Sequence, residues 1–242
     1  MGLPFFYKED IDVVSKKVVL DEDTSKHIVQ VLRMKIGEQV QLTNGKGIMF
    51  TCEITDDNRK KCSVTIIKKS EIAPQGTAEN PRSAITIAIS LIKNNTRFEW
   101  FLEKATEIGV TEIIPLICER TEKTAFKYER MKSILVSAML QSQQVWLPAL
   151  YEPVKFTSFI EKAKHEQKFI AHCEDEKNKQ ALTDRLTNLL TSKLILIGPE
   201  GDFTTKEIEL ALENNCIPVT LGSTRLRTET AGVVAATLLA LL

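Results

Sequence analysis

Neither sign of charge dominates this chain of 242 residues: Lys and Arg number 32, Asp and Glu 32, and the formal net charge at pH 7 is zero. Nothing global draws it toward an anionic partner, so any nucleic-acid site has to be local. Long apolar runs are missing as well. The run Ala231 to Leu242 has only twelve residues, short of the roughly 20 that a membrane-spanning helix needs. The five cysteines, Cys52, Cys62, Cys118, Cys173 and Cys216, are odd in number and form no Cys-x-x-Cys pair. That argues against a disulfide framework and against a structural zinc site. His27, His165 and His172 are dispersed, without Glu-x-x-His or His-x-His spacing, so no metal is expected. The start, Met1-Gly2-Leu3-Pro4-Phe5-Phe6, lacks a basic segment followed by an apolar core, and position six is not Ser or Thr as a myristoylation signal would want. The expectation is a reduced, cytoplasmic protein.

What is there divides in two. Residues 73–82, Ala-Pro-Gln-Gly-Thr-Ala-Glu-Asn-Pro-Arg, hold two prolines and a glycine but no large apolar side chain, and read as a linker. Residues 1–72 carry short alternating β-rich runs (Lys17 to Leu20, Gln39 to Thr43, Met49 to Ile54, Ser63 to Lys68) around turns such as Asn44-Gly45-Lys46-Gly47, which predicts a small β-barrel. One helix, Asp23 to Met34, interrupts it, with Ile28, Val31 and Leu32 on the apolar face and Ser25 or Thr24 as cap. Residues 83–242 alternate apolar strands with amphipathic segments, the pattern of a mostly parallel sheet covered by helices. There Thr96-Arg97-Phe98-Glu99 predicts a capping box for a helix ending at Gly109, and Ser158-Phe159-Ile160-Glu161 another cap. Tyr128 to Gln143 predicts a further helix.

Two predicted strand ends open into polar, glycine-bearing loops: Leu194 to Ile197 runs into Gly198-Pro199-Glu200-Gly201-Asp202-Phe203, and Pro218 to Leu221 into Gly222-Ser223-Thr224-Arg225-Leu226-Arg227-Thr228-Glu229-Thr230. Ligands bind beyond the carboxyl ends of strands in open α/β sheets, so both loops are site candidates. Gly198 and Gly201 allow close backbone approach to a ligand, or serve only a turn. The pattern is neither of the common phosphate cradles, and Glu200 with Asp202 would repel an anion there. Arg225 and Arg227 could grip a nucleic-acid backbone, or Arg227 could pair with Glu229 or Glu200. There is no Gly-x-Ser-x-Gly elbow.

These residues, Leu196 to Phe203 with Leu221-Gly222 and Leu226 to Ala231, closely resemble the signature of the RsmE family, S-adenosylmethionine-dependent 16S ribosomal RNA uracil-N3 methyltransferases of the SPOUT class. Lys93, Arg97, Glu99, Lys104, Glu107 to Val110 and Pro115 resemble the family's first helix region, and Gln141-Ser142 with Pro148 its middle segment. His27, Val31-Leu32-Arg33, Gly37 and Asn44-Gly45 resemble its N-terminal PUA-like barrel.

The resemblance implies a PUA-like RNA-binding barrel, then a SPOUT-type α/β domain with a C-terminal trefoil knot, pairing as a homodimer. The cofactor, S-adenosylmethionine, would be bound by Gly198, Gly201, Leu221, Gly222, Leu226, Thr228 and Thr230, with His172 and Cys173 as further pocket walls. Ribosomal RNA of the small subunit would meet His27, Arg33, Lys93, Arg97 and Arg225. Arg227 would position RNA or stabilise charge on a uracil carbonyl, and Glu229 or Glu200 would accept the imide proton or orient Arg227. Some positions depart from the family pattern: Leu140 replaces an acidic residue, Gln144 an arginine, and Asp202 the second glycine after Gly201, while an arginine is absent around Pro4-Phe5-Phe6. Alternative readings are a SPOUT enzyme acting on a transfer-RNA ribose, a non-catalytic RNA-binding assembly factor, and a small-metabolite enzyme.

Overall fold

The computed structural model of the chain describes residues 2–12, 14–72, 76–77, 80–81, 84–174, 179–186 and 191–241. The chain divides into two compact units, Met1–Pro74 with Met139–Leu147, and Gln75–Ala138 with Pro148–Leu242.

In the first unit, β1 (Phe5–Tyr7), β2 (Lys17–Val19), β3 (Gln39–Thr43), β4 (Ile48–Asp56) and β5 (Ser63–Glu71) form a five-stranded sheet in the order β1-β3-β4-β5-β2. Only the β1–β3 pairing is parallel. Alternation along the strands sends Val40, Leu42, Phe50, Cys52, Ile54, Val64 and Ile66 to one core. The expected helix over Asp23 to Met34 is shorter and irregular. It comprises α1 (Glu22–Lys26) and a π turn over His27–Val31, where Leu32 N donates to His27 O at 2.9 Å. The wider turn rotates Val31 and Leu32 outward, so only Ile28 of the expected apolar face is buried. The cap is Asp21, not Ser25 or Thr24: its Oδ1 accepts Thr24 N at 2.9 Å, while Ser25 is buried and its Oγ accepts Cys62 N at 2.9 Å. Past the π turn the exposed Arg33 takes a left-handed φ of 58°.

Residues 139–147 complete this unit, a return that a single division at residues 73–82 does not foresee. Val145 O accepts Gly47 N at 2.9 Å, Gly45 O accepts Leu147 N at 2.9 Å, and Trp146 Nε1 donates to Ile72 O at 3.0 Å. The linker expected at 73–82 lies largely outside the described residues. Within it β6 (Gly76–Thr77) and β7 (Asn80–Pro81) pair antiparallel.

The second unit is the α/β arrangement the pattern predicts. Its elements are β8 (Ile85–Ser90), α2 (Asn95–Ile108), β9 (Glu112–Ile117), α3 (Tyr128–Gln141, whose last three residues belong to the first unit), β10 (Ala149–Leu150), β11 (Val154–Lys155), α4 (Phe156–Ile160), β12 (Gln167–Ala171), β13 (Gln180–Ala181), α5 (Leu182–Arg185), β14 (Lys193–Ile197), α6 (Thr205–Glu213), β15 (Ile217–Thr220) and α7 (Thr228–Leu241). The eight strands form one sheet in the order β10-β9-β8-β14-β12-β15-β13, with β11 also on β9, and every recorded pairing is parallel. β8 and β14 are buried along their whole length, as strands covered on both faces must be. One face packs Ile114, Leu116, Ile170, Leu194 and Leu196 against Phe156, Phe203 and Ile208. The other carries α2 and α7, where Gly232 lets Phe101 and Ile89 approach closely.

Two expected caps differ. α2 is capped by Asn94, whose Oδ1 accepts Thr96 N at 2.9 Å, and Glu99 instead receives a two-pronged contact from Arg130 at 3.2 and 3.0 Å. α4 starts at Phe156 without a side-chain cap, not behind Ser158. α2 does end at Gly109, at φ 94°, and α6 has the capping box of Thr204 and Glu207.

Candidate functional site

Register decides where the site forms. Ile197 of β14 lies level with Ile89 of β8 and with Ala171 of β12, which lies level with Val219 of β15. Four neighbouring strands thus end flush, and the segments after them leave the sheet along one edge. The turn after β14, the segment after β12 and the loop after β15 enclose a cleft of about 390 Å³, within the size range of small-molecule sites.

Its lining brings together Gly198, Leu226 and Thr228 of the expected cofactor set, Glu200, Arg227 and Glu229 of the expected catalytic set, and Arg97 and Arg225 of the expected RNA set. Cys173 lines it; His172 is buried beside it, its carbonyl accepting from Lys179 Nζ. Gly201 and Thr230 are flanked by lining residues in the chain but lie outside the lining, and Leu221 and Gly222 stand outside it too, three to four positions before Arg225. Lys93 turns away, its Nζ 2.8 Å from Glu122 Oε2. His27 and Arg33 belong to the first unit, where both are exposed and His27 meets Phe6 edge-on at 5.7 Å.

The glycines of the two loops serve different ends: at Gly198 Phe203 fills the space a side chain would take, and at Gly222 that space is open. A Cβ on the buried Gly198 would meet Phe203 N at 3.1 Å and its ring at 3.1 Å. Gly222 has φ 145° and open space where a Cβ would be. Its turn is held by Thr220, whose Oγ1 donates to Gly222 O at 2.7 Å. Backbone of this kind fits a ligand recognised by main-chain groups.

The two carboxylates have partners other than Arg227. Glu229, only 6% exposed, lies 3.6 Å from Arg97 Nε, in the first turn of α7, where a negative charge is favoured. Glu200 is exposed, and its Oε1 accepts Lys93 N at 2.9 Å. Among the described residues neither Arg225 nor Arg227 makes an ion pair. The two arginines are thus available to an anionic ligand. Burial, with Asp202 nearby, pushes the Cys173 thiol up, which disfavours its thiolate.

Three groups shaping the cleft have no signature of spacing. Arg120, in an unpatterned segment after β9, donates from Nη1 to Gly201 O at 2.7 Å and to Phe203 O at 3.3 Å. Glu207 accepts Glu119 N at 2.9 Å, tying that segment to the start of α6. Asp202 accepts Cys173 N at 2.7 Å. Each joins chain segments about 30 to 90 positions apart, which no local pattern reveals.

Comparison with known proteins agrees with this arrangement. The RNA methyltransferase PUA domain family matches residues 20–67 and the RNA methyltransferase domain family residues 78–240. Ribosomal RNA small subunit methyltransferase E of Rickettsia conorii is 30% identical over 91% of this chain and 88% of its own length. The crystal structure of a probable rRNA-methyltransferase from Porphyromonas gingivalis superposes with a TM-score of 0.86 at 37% identity, covering 97% of this chain and 95% of that one. The Ribosomal RNA small subunit methyltransferase E of Neisseria gonorrhoeae, solved bound to S-adenosyl methionine, gives 0.82 at 28% identity over 97% and 95%. With a parallel α/β sheet behind a PUA domain and relatives that span almost its entire length, the chain belongs to the ribosomal RNA small subunit methyltransferase E family.

Proposed function

We propose that this protein transfers a methyl group from S-adenosylmethionine to the N3 of a uracil in 16S ribosomal RNA of the small subunit. The observation that carries the reading is the cleft at the carboxyl edge of β14, β12 and β15, where the Gly198 turn, two arginines without an ion pair among the described residues and two carboxylates converge. The named relatives add the substrate, and the Neisseria gonorrhoeae protein adds the cofactor.

S-adenosylmethionine, when bound, supplies an electrophilic sulfonium methyl. Gly198, Leu226 and Thr228 would hold it, with Gly201, Leu221, Gly222 and Thr230 supporting them from the adjoining turns. Arg227 positions the uracil and stabilises negative charge on its carbonyl, and Arg225 takes an RNA phosphate. Glu229 holds Arg97 at the rim. Glu200 keeps one carboxylate oxygen free of the Lys93 contact and receives the imide proton. Holding both reactants in one rigid cleft supplies much of the acceleration.

His27, Arg33 and Lys93 serve as further RNA contacts, and the enzyme works in the cytoplasm as a homodimer whose C-terminal segment is threaded as a trefoil knot. Residues 1–72 act as the RNA-binding part and 83–242 as the catalytic part. A neutral chain has little phosphate attraction to rely on, which favours a shaped target in the assembled subunit over naked RNA. The test is transfer of labelled methyl to small subunits lacking their native modification, beside naked RNA and transfer RNA, with the modified atom mapped. Label on one uracil N3, dependent on subunits, is the expected result. Label on a ribose, or cofactor binding without transfer to any RNA, overturns it.

A further inference from the structure

The turn after β14 departs from the family pattern at Asp202, where a glycine would be expected, and the backbone there is one that favours glycine. Its φ is 65°, and its N–H closes the turn by donating to Pro199 O at 2.9 Å. Aspartate tolerates this conformation better than most side chains but gains nothing from it. What it brings instead is a carboxylate with both oxygens engaged. Oδ1 accepts Phe203 N at 2.8 Å, within the turn, and Oδ2 accepts Cys173 N at 2.7 Å, in the segment after β12. A glycine would make the same turn and neither bond. Both Asp202 and Cys173 line the cleft, on walls contributed by adjacent strands of the sheet. Short bonds from backbone N–H to a carboxylate are among the stronger ones available, and this one spans the two walls.

We infer that Asp202 is a positioning residue that ties the Cys173 wall to the Gly198–Gly201 turn and so presets the cleft for its cofactor. The inference rests on the methyltransferase reading above and deepens it. The tie holds the walls in the binding geometry before the ligand arrives, so its loss appears mainly as weaker cofactor binding, because ordering then accompanies association.

The experiment compares the full-length parent with Asp202→Gly, Asp202→Asn and Asp202→Ala. It measures calorimetric binding of S-adenosylmethionine, thermal melting, deuterium exchange at the Cys173 amide, and KM against kcat on small subunits. Asp202→Gly keeps the left-handed turn and loses the tie. It is expected to raise the cofactor Kd about tenfold, to speed exchange at Cys173, and to raise the cofactor KM by a larger factor than it lowers kcat. Asp202→Asn retains one acceptor oxygen and recovers part of the affinity. Asp202→Ala binds as weakly as Asp202→Gly and melts lower, since alanine strains the turn. Asp202→Gly binding within twofold of the parent, or a lower kcat with an unaltered KM, overturns the inference and leaves the methyltransferase reading intact. No cofactor binding by the parent overturns both.

Discussion

Arg97 Nε lies 3.6 Å from Glu229 Oε1, so a half-exposed guanidinium near the start of α2 covers a carboxylate buried in the first turn of α7. Removing either partner leaves the other misplaced, and a buried unpaired charge is the more expensive outcome. Glu229→Gln and Arg97→Ala are therefore each expected to slow single-turnover methyl transfer, and the double variant to be no slower than the worse single one. A coupling of about 1–3 kcal/mol in that cycle is the predicted readout; simple additivity would separate the two roles.

Glu200→Gln tests the proton acceptor. The amide oxygen can still accept Lys93 N–H, so the turn is kept while the basic oxygen is lost. Single-turnover transfer is expected to fall roughly 100-fold or more, with a much smaller change in cofactor affinity. An unaltered rate assigns the proton to solvent.

Arg225 and Arg227 line the cleft without an ion pair among the described residues. Arg225→Ala is expected to weaken binding to subunits and to reduce the slope of log K against log salt by about one, the mark of one lost phosphate contact. Arg227→Ala reduces the transfer rate at saturating RNA more than it reduces that slope. Filter-binding across a salt series, run beside single-turnover kinetics, distinguishes them.

Gly47 has φ 83°, and a Cβ there would lie 2.2 Å from Cζ2 of Trp146. Gly47→Ala combines backbone strain with overlap against an indole pinned by its hydrogen bond to Ile72 O. A loss of about 2–4 kcal/mol is expected in urea unfolding. Trp146→Ala in the same background relieves the overlap and is expected to recover part of it.

Acid acts on a cluster that does not line the cleft. Contact with His165, joined by hydrogen bonds from Thr86 Oγ1 at 2.8 Å and Tyr151 OH at 3.3 Å and opposed by burial, holds the Glu112 carboxyl below its usual value. A depressed native pKa stabilises the fold above the ordinary glutamate range, and that contribution is lost as the pH falls through the lower native value. Melting curves between about pH 6 and about pH 3 are expected to show a smaller acid loss for Glu112→Gln than for the parent.

How far the sequence alone leads can be seen element by element. α2 follows from its apolar periodicity and from Gly109, and the parallel sheet from unbroken apolar strands between amphipathic helices. The cleft follows from two glycine-bearing loops placed beyond strand ends. The cap of α2 did not, because the helix begins two residues earlier, where Asn94 Oδ1 accepts Thr96 N and so places Thr96 inside the first turn. Nor did the π turn over His27–Val31, since a single wide turn changes which residues face inward without altering the sequence pattern around it. The pairing of Glu229 with Arg97 instead of Arg227, the grip of Arg120 on Gly201, and the return of 139–147 all join distant segments. Local periodicity carries no information about such contacts.

That return governs the order of events during synthesis. Val145, Trp146 and Leu147 supply partners to Gly45, Gly47 and Ile72, so the N-terminal unit cannot mature as soon as its first 74 residues have left the ribosome. It waits, incomplete, while β8, α2, β9 and α3 are translated. A nascent chain stalled before residue 145 would hold all five strands but leave Gly45, Gly47 and Ile72 without these partners, and a gene fragment cut at the linker would inherit the same gap. A single crossover at the linker would therefore part the unit from its second segment, because its blueprint is written in two places.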